Sequence, residues 1–378
     1  MRSLRTIPAL ALTILFAATA LAQKPAPQPD ILIFTNGDQL TGHLERAAGG
    51  SVVFKSDMAG EVTISLDKVK EIRSAGSFSM LKKGPPSKTN LVGQGQISVA
   101  EGNVSVTPPA QPPVTLPVKD VGYLIDTPTY DREVHNEIKL TQGWTGAVTA
   151  GATFVRSTDN DTVFTAGLAL ARLIPTVTFL PPRQRMTLNV IETYGKATSA
   201  VIPQTVPPSP AAITKTSIFH ADGEHDWYFT PHLYGLANLS FDHNFAQGLS
   251  LQQLYGGGIG WTPFETARHQ LDLKADIHYE RQNFFVASSN VDLIGTIFGE
   301  AYRRTLPRKI AFTQTAEYIP SWNHPTDYSA LFTAGFVLPT WKRLGVTFNA
   351  TDNYLHNPSP GYKANSLQFV AGVNYAFK

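Results

Sequence analysis

The stretch Leu271-Asp272-Leu273-Lys274-Ala275-Asp276-Ile277-His278-Tyr279-Glu280 alternates apolar and ionisable residues without a break. Successive side chains of a β-strand point to opposite faces of a sheet. The odd positions therefore form an apolar face, and the even positions form an ionisable face. This pattern predicts a strand that separates two very different environments.

The same period of two recurs through the last part of the chain and predicts a large antiparallel β-structure. In the final segment, one face is shared by Leu367, Phe369, Ala371, Val373, Tyr375 and Phe377. Twelve candidate strands begin near Gln142, Asp161, Gln184, Lys215, Pro231, Leu249, Arg268, Asn290, Pro307, Pro325, Lys342 and Ala364. Most are about 12 to 16 residues long, which exceeds the roughly 9 to 11 that a tilted strand needs to cross a bilayer. Alternation alone also fits a soluble sandwich, but the length and even number of segments favour a transmembrane barrel.

The connections and the tryptophans support the same interpretation. Tight inner turns are predicted at Thr230-Pro231, Thr262-Pro263, Leu306-Pro307 and Pro339-Thr340, and longer outer loops at 197–214 and 282–289. The connection 174–183 is the exception, because it is long for an inner turn. An aromatic girdle at the inner membrane interface is predicted from Trp144, Trp227, Trp261 and Trp341.

Composition limits what the chain can be. Only 16% of its 378 residues are charged, and it contains no Cys, whereas about 25% charged residues is usual in soluble domains. The missing Cys excludes a disulfide scaffold and a thiolate metal site. Arg2 and Arg5 precede a charge-free stretch that ends at Ala22, which predicts a cleaved signal peptide over 1–22. Without those two arginines the formal charge of +2 falls to about zero, so nucleic acid is not an expected partner.

An internal repeat marks the first part of the exported chain. A shift of 52 residues aligns Val62-Thr63-Ile64 with Val114-Thr115-Leu116 and Val69 with Val121. We therefore predict two small β-units, 30–76 and 77–126, that pack together as one domain because each is too small to bury a core alone. The remaining predicted segments are a Pro-rich linker over 23–29, a second linker over 127–141 and the barrel over 142–378.

If the polar faces of the barrel strands point inward, they line a lumen rich in carboxylates. The lumen-lining candidates are His220, Asp222, Glu224, Asp226, Asp272, Lys274, Asp276, His278, Glu280, Glu300 and Glu317. Lys274 is the clearest cation among them. Some carboxylates are therefore expected to lack a partner unless water or a cation in the lumen relieves them.

Three functions remain open at this point. We favour a structural or binding barrel whose amino-terminal domain is an interaction module. The alternative is a narrow cation-selective channel or a porin for small solutes, since an acidic passage favours cations. An outer-membrane hydrolase is the weakest possibility, because no Ser, His and Asp stand at a diagnostic spacing. We expect no enzyme activity, no catalytic residue, no metal site and no cofactor.

Motifs in both parts of the chain point to one family. They are Thr35-Asn36-Gly37-Asp38, Leu40-Thr41-Gly42, Ala59-Gly60-Glu61, 69–72, Gly143-Trp144-Thr145-Gly146, 256–261, 271–280, 354–361 and 373–377. With these motifs most of the exported chain resembles the YdiY-like family of salt-induced outer-membrane proteins. The resemblance implies an outer-membrane barrel of unknown function in a Gram-negative-type bacterium, with no established catalytic residues to carry over.

An outer-membrane barrel has three expected partners. These are the lipid around the barrel, a periplasmic partner of residues 30–126, and the barrel-assembly machinery. The assembly machinery reads aromatic-rich last strands, and Val373, Tyr375 and Phe377 form the predicted signal, although Lys378 follows Phe377.

Overall fold

The computed structural model describes residues 29–136, 138–156, 160–198 and 213–377. The predicted signal peptide and residues 23–28 of the predicted linker lie outside the described residues. The chain divides into two compact units, one over residues 1–83 and 91–127 and the other over 84–90 and 128–378. Each unit is a β-structure with its own sheet.

The described residues of the first unit form nine strands. They are β1 Asp30–Phe34, β2 Gln39–Ala48, β3 Ser51–Ser56, β4 Gly60–Ser65, β5 Val69–Lys82, β6 Leu91–Ala100, β7 Asn103–Thr107, β8 Val114–Pro117 and β9 Val121–Asp126. The sheet order is β4-β3-β2-β1-β5-β6-β7-β8, and β9 pairs with both β2 and β5. That double pairing closes β2, β1, β5 and β9 into a small barrel.

The 52-residue repeat predicted from the sequence is visible in this unit. Short 3₁₀ helices at Leu66–Lys68 and Val118–Asp120 are 52 residues apart, and each leads into the last strand of its repeat. Residues aligned by the repeat occupy the shared core. Val52 and Val104, Phe54 and Val106, and Ile72 and Leu124 are all 0% exposed. The two repeats therefore pack face to face as one hydrophobic core.

The second unit is a closed antiparallel barrel of twelve strands, the eighth of which is divided in two. The strands are β10 Trp144–Arg156, β11 Asn160–Ile174, β12 Gln184–Thr198, β13 Ile213–Tyr228, β14 Leu233–Asn244, β15 Leu249–Glu265, β16 His269–Phe284, β17 Val291–Gly295, β18 Phe298–Thr305, β19 Ala311–Ile319, β20 Ser329–Trp341, β21 Leu344–Leu355 and β22 Asn365–Phe377. Each pairs with its neighbour, and β22 pairs with β10 to close the sheet. β17 and β18 together form the eighth strand, and both pair with β16.

The predicted fold class is confirmed: the chain is all-β, with a small two-repeat β-module before a closed barrel of twelve strands. The remaining described elements are short helical turns at Thr127–Tyr130, Asp131–His135, Lys88–Asn90, Phe245–Gln247, Ala287–Ser289 and Pro307–Lys309. None of the helices among the described residues has the length and apolar content to cross a membrane.

The segment 127–141, interpreted above as a linker, is ordered against the barrel over its described residues. Tyr130 and Glu133 are 0% exposed. Glu133 accepts hydrogen bonds from the backbone N–H of Thr176 (2.8 Å) and from its hydroxyl (2.6 Å). Thr176 belongs to the connection 175–183, the one that is long for an inner turn. Its length is explained, because it forms the docking surface for this segment.

The closing register predicts a cross-link that the wild-type chain, which has no Cys, cannot form. Val148 on β10 lies opposite Tyr375 on β22, and directly opposed residues meet the Cα separation of under about 7 Å that a disulfide needs. We expect V148C/Y375C to oxidise to an intramolecular disulfide, detected by its shifted mobility on a non-reducing gel.

The matched control is V148C/F369C. Phe369 is six residues from Tyr375 along β22, which is roughly 20 Å, so this pair should stay reduced. Equal oxidation of both pairs, or of neither, would contradict the register.

Candidate functional site: the polar interior of the barrel

Strand alternation sorts the barrel side chains into two faces, and the exposed face is the apolar one. On β16, Ile277 is 60% exposed, whereas Asp276 and His278 beside it are 4% and 3% exposed. Exposed outward-facing residues on other strands include Phe164, Leu239, Phe332, Phe348 and Phe369. A soluble β-protein turns its apolar face inward, and this barrel turns it outward.

Arg185 on β12 forms the first ion-pair cluster of the lumen. Its Nε lies 2.6 Å from Asp226 Oδ2, and its Nη1 lies 3.2 Å from Asp272 Oδ2. Its guanidinium also lies 5.0 Å from the ring centre of Tyr234. Three strands separate β12 from β16 in the sheet, so the Arg185–Asp272 pair crosses the interior of the barrel.

Lys274 forms the second cluster, one step further along β16. Its Nζ lies 3.2 Å from Glu224 Oε2 on β13 and 3.1 Å from Glu317 Oε1 on β19. A single ammonium group therefore connects three strands across the lumen. Cations and carboxylates alternate inside this part of the barrel, and each side chain holds its neighbours in place.

His220 forms the third cluster. Its Nδ1 lies 2.6 Å from Asp242 Oδ1 and its Nε2 lies 2.9 Å from Asp222 Oδ1. Asn189 donates a further hydrogen bond to Asp222, 3.0 Å long. Both imidazole nitrogens thus contact carboxylates, which orients the ring between β13 and β14.

His278 forms the fourth cluster and lies where the eighth strand is divided. Its Nδ1 is 3.1 Å from Asp276 Oδ1, and its Nε2 is 3.7 Å from Glu280 Oε2. Asp276 Oδ1 also accepts the backbone N–H of Ile297 (2.7 Å), which lies in the gap between β17 and β18. A lumen carboxylate therefore takes the place of a strand partner for this backbone donor.

The expectation that some lumen carboxylates lack a partner is wrong for those of the four clusters. Asp222, Glu224, Asp226, Asp272, Asp276, Glu280 and Glu317 each have a basic or imidazole group within 4 Å. Two members of these clusters, Arg185 and Asp242, were missed from the sequence. The sequence did carry a signal for both residues. Arg185 shares a strand face with the polar residues Thr187 and Asn189, and Asp242 shares one with Asn238 and Ser240.

Glu300 is a second correction, because it does not face the lumen. Its partners across the sheet are Leu273 on β16 and Ala316 on β19, and directly opposed residues share one face. Leu273 is on the outward face. Glu300 therefore points outward, where Gln314 donates a hydrogen bond to it (3.3 Å).

Aromatic residues mark both ends of the outward face. Trp144, Trp227, Trp261 and Trp341 lie at or near the strand ends on the side where β10 begins and β22 ends, here called the terminal end. At the opposite, distal end, the ring of Tyr328 contacts those of Tyr318, Tyr354 and His356, with centroid distances of 6.0, 5.9 and 4.4 Å. Val373 and Tyr375 on β22 are outward and exposed, and Phe377 lies opposite Gly146 at the closing seam.

A helical turn covers the distal end of the lumen. Gln247, 1% exposed, donates from Nε2 to the carbonyl oxygens of Asn353 (3.0 Å) and Ala364 (2.8 Å). This turn follows β14, and Asn353 lies on β21, with five barrel strands between them in either direction. The contact therefore joins opposite walls. Beneath it, Leu249, Phe284 and Leu355 form an apolar cluster.

The docked segment 127–141 lies at the terminal end of the barrel. Arg183 donates to the Glu133 carbonyl oxygen (2.6 Å), and Arg132 Nε lies 2.8 Å from the Glu133 carboxylate. Burial alone would raise the pKa of Glu133, but the hydrogen bonds from Thr176 and Arg132 outweigh burial, and the pKa lies below its ordinary value. Glu133 is therefore a charged anchor at neutral pH.

The described polar side chains around His220 do not form a nucleophile–base pair. A nucleophile must contact its base, but the Ser240 hydroxyl donates to Asp242 (3.4 Å) and not to His220. Among the described residues, no group of three or more His, Asp or Glu side chains is arranged to hold a metal ion. The four clusters are chemically suited to bridging strands.

Comparison with known proteins gives one family match. A model of a family of proteins of unknown function, DUF481, matches residues 208–377, which include β13 to β22. No curated protein matches the chain.

Solved outer-membrane barrels match the chain at low similarity. An outer-membrane channel from Pseudomonas putida F1 is 9% identical with a TM-score of 0.35, covering 64% of this chain and 100% of its own. The translocator domain of the autotransporter NalP from Neisseria meningitidis is 11% identical with a TM-score of 0.33, covering 64% and 90%. An anion-selective porin from Comamonas acidovorans is 9% identical with a TM-score of 0.28, covering 62% and 98%. These TM-scores are all below 0.5. The proposal of a membrane location therefore rests on the apolar outward face of this chain.

Removal of Arg185 should destabilise the barrel strongly. In Arg185→Ala, the Asp226 side chain, which is 1% exposed, loses its cation, and an uncompensated buried charge costs about 3–5 kcal/mol. The free energy of unfolding, measured by urea titration in detergent micelles, should fall by that amount.

Arg281→Ala is the matched control, because the side chains of Arg281 and its partner Asp292 are 55% and 60% exposed. Such an exposed pair contributes under about 1 kcal/mol. An equal loss of unfolding free energy in both variants would show that the ion pairs of the lumen stabilise the barrel no more than exposed pairs do.

Proposed function

We propose that the chain is an outer-membrane protein of a Gram-negative-type bacterium whose barrel is a closed structural or binding scaffold. The observation that carries this proposal is the inverted barrel: its outward face is apolar and its interior is filled by bridging ion pairs. In water such a surface would associate, whereas in a bilayer it meets lipid tails. The aromatic residues at both ends fit the two membrane interfaces.

The lengths of the connections support an orientation in the membrane. Those at the terminal end include the short stretches 229–232, 266–268 and 342–343, whereas the distal end carries 285–290, 320–328 and 356–364. Short turns face the periplasm and longer loops face outward in such barrels. We therefore place the terminal end, and with it the amino-terminal β-module, in the periplasm. There the module serves as an interaction domain for a periplasmic partner.

Several features support a lumen that does not conduct. Arg185 and Lys274 reach from wall to wall at two levels, and Gln247 joins opposite walls at the distal end. An ion passing through would have to displace paired charges, which costs more than displacing water. We propose no enzymatic activity, because the lumen imidazoles of His220 and His278 are held between carboxylates.

A narrow cation channel is the second candidate. His220 and His278 each have two carboxylate neighbours, so the distal half of the lumen is acidic. If the bridging side chains moved apart, this field would favour cations over anions.

Planar-bilayer conductance separates the two candidates. For the closed scaffold we expect the refolded exported chain to insert, to show the heat-dependent gel mobility of a folded barrel, and to give no discrete conductance steps. Cation-selective steps in the wild type that fall in D272N/D276N would contradict the closed scaffold and support the channel.

A further inference from the structure

An outward-facing groove lies on the first three barrel strands. It has a volume of about 510 Å³ and is lined by Ala150, Gly151, Ala152, Phe164, Thr165, Ala166, Glu192 and Tyr194. Ala150 pairs with Ala166, and Ala152 pairs with Phe164. Small alanine side chains stand here where other strands carry Phe and Leu outward, and they leave a gap in the outward surface.

Two lysines stand directly opposite each other at the distal end of this groove. Lys196 on β12 pairs with Lys215 on β13, and Lys196 follows Tyr194 by two positions, so both lysines are on the outward face. Like charges in directly opposed positions destabilise a sheet. In the part of the chain that the structure describes, neither lysine has a carboxylate within ion-pair distance. The pair therefore provides a site for an anion at the level of the membrane surface.

Glu192 adds a hydrogen-bond acceptor deeper in the groove. It shares the outward face with Tyr194 and pairs with Ala166, and Ser217 donates to its Oε1 (2.8 Å). Glu192 lies four positions before Lys196, which is roughly 13 Å along the strand. The carboxylate is thus too deep to meet the anion. Oε2 has no donor among the described residues, and a carboxylate facing hydrocarbon is costly without one.

We propose that this groove binds a phosphorylated glycolipid with hydroxylated acyl chains, of the lipopolysaccharide type. The phosphate contacts Lys196 and Lys215, one acyl chain occupies the alanine-lined groove, and its hydroxyl group donates to Glu192. A phospholipid with plain acyl chains satisfies the lysines but leaves Glu192 without a donor. The inference rests on the outer-membrane placement proposed above, because the distal end must face the leaflet that contains such a lipid.

The test uses the exported chain in detergent micelles with three probes: lipid A, dephosphorylated lipid A, and phosphatidylglycerol with unsubstituted chains. Lipid retained by the barrel is measured by native mass spectrometry. We expect lipid A to be retained, and phosphatidylglycerol and dephosphorylated lipid A to be retained more weakly. Equal retention of lipid A and phosphatidylglycerol, or no retention of lipid A, would overturn the proposal.

Substitutions test which side chains contact the lipid. Each surface lysine contributes about a factor of five toward an anionic lipid, so K196Q/K215Q should weaken lipid A retention roughly 30-fold. The control R303Q/R304Q removes two exposed charges near the terminal end and should leave retention unchanged. E192A should reduce the preference for lipid A over phosphatidylglycerol. Unchanged retention in K196Q/K215Q, or equal losses in that variant and its control, would overturn the site.

Failure of this proposal is distinguishable from failure of the outer-membrane placement. A chain that stays folded and monomeric in water without detergent contradicts the placement itself. A chain that needs detergent and folds as a barrel, but retains no lipid A, contradicts the lipid site alone.

Discussion

Closure of the sheet is the constraint on which the rest of this structure depends. In hydrocarbon, backbone N–H and C=O groups must find partners within the protein, and a sheet with free edges cannot provide them. Pairing of β22 with β10 removes both edges. Once the sheet is closed, alternation leaves each side chain only two environments, the exterior or the lumen. The apolar residues face outward, and the ionisable residues of the four clusters face the lumen.

The lumen then needs its own organisation, because so many charges lie side by side within a narrow barrel. Four clusters, centred on Arg185, Lys274, His220 and His278, place a basic or imidazole group between carboxylates. Replacement of such pairs by apolar residues is often neutral for stability. Their retention here therefore fits a role in specifying one arrangement of strands, and it is consistent with a scaffold that does not conduct.

Most of the fold could be predicted from the sequence, because alternation of apolar and polar residues shows which residues share a face of a strand. The starts of most of the twelve strands, the terminal-end tryptophans and the 52-residue repeat follow from local patterns. Pairing inside the lumen could not be predicted, since Arg185 and Asp272 meet across three intervening strands. Glu300 was misplaced because its strand is divided and its face depends on its register with Leu273. The docked segment 127–141 was taken for a linker, because Glu133 finds its partner only in a distant connection.

Accessibility along β16 tests the central claim, an apolar exterior around a charged interior, most directly. A fluorophore is attached to a single cysteine placed at Leu273, Lys274, Ile277, His278 or Tyr279. The labelled protein is reconstituted into lipid vesicles, and a nitroxide lipid serves as the quencher. We predict quenching at Leu273, Ile277 and Tyr279, and protection at Lys274 and His278. Quenching that does not follow this alternation, or that is strongest at Lys274 and His278, would contradict an apolar exterior around a charged interior.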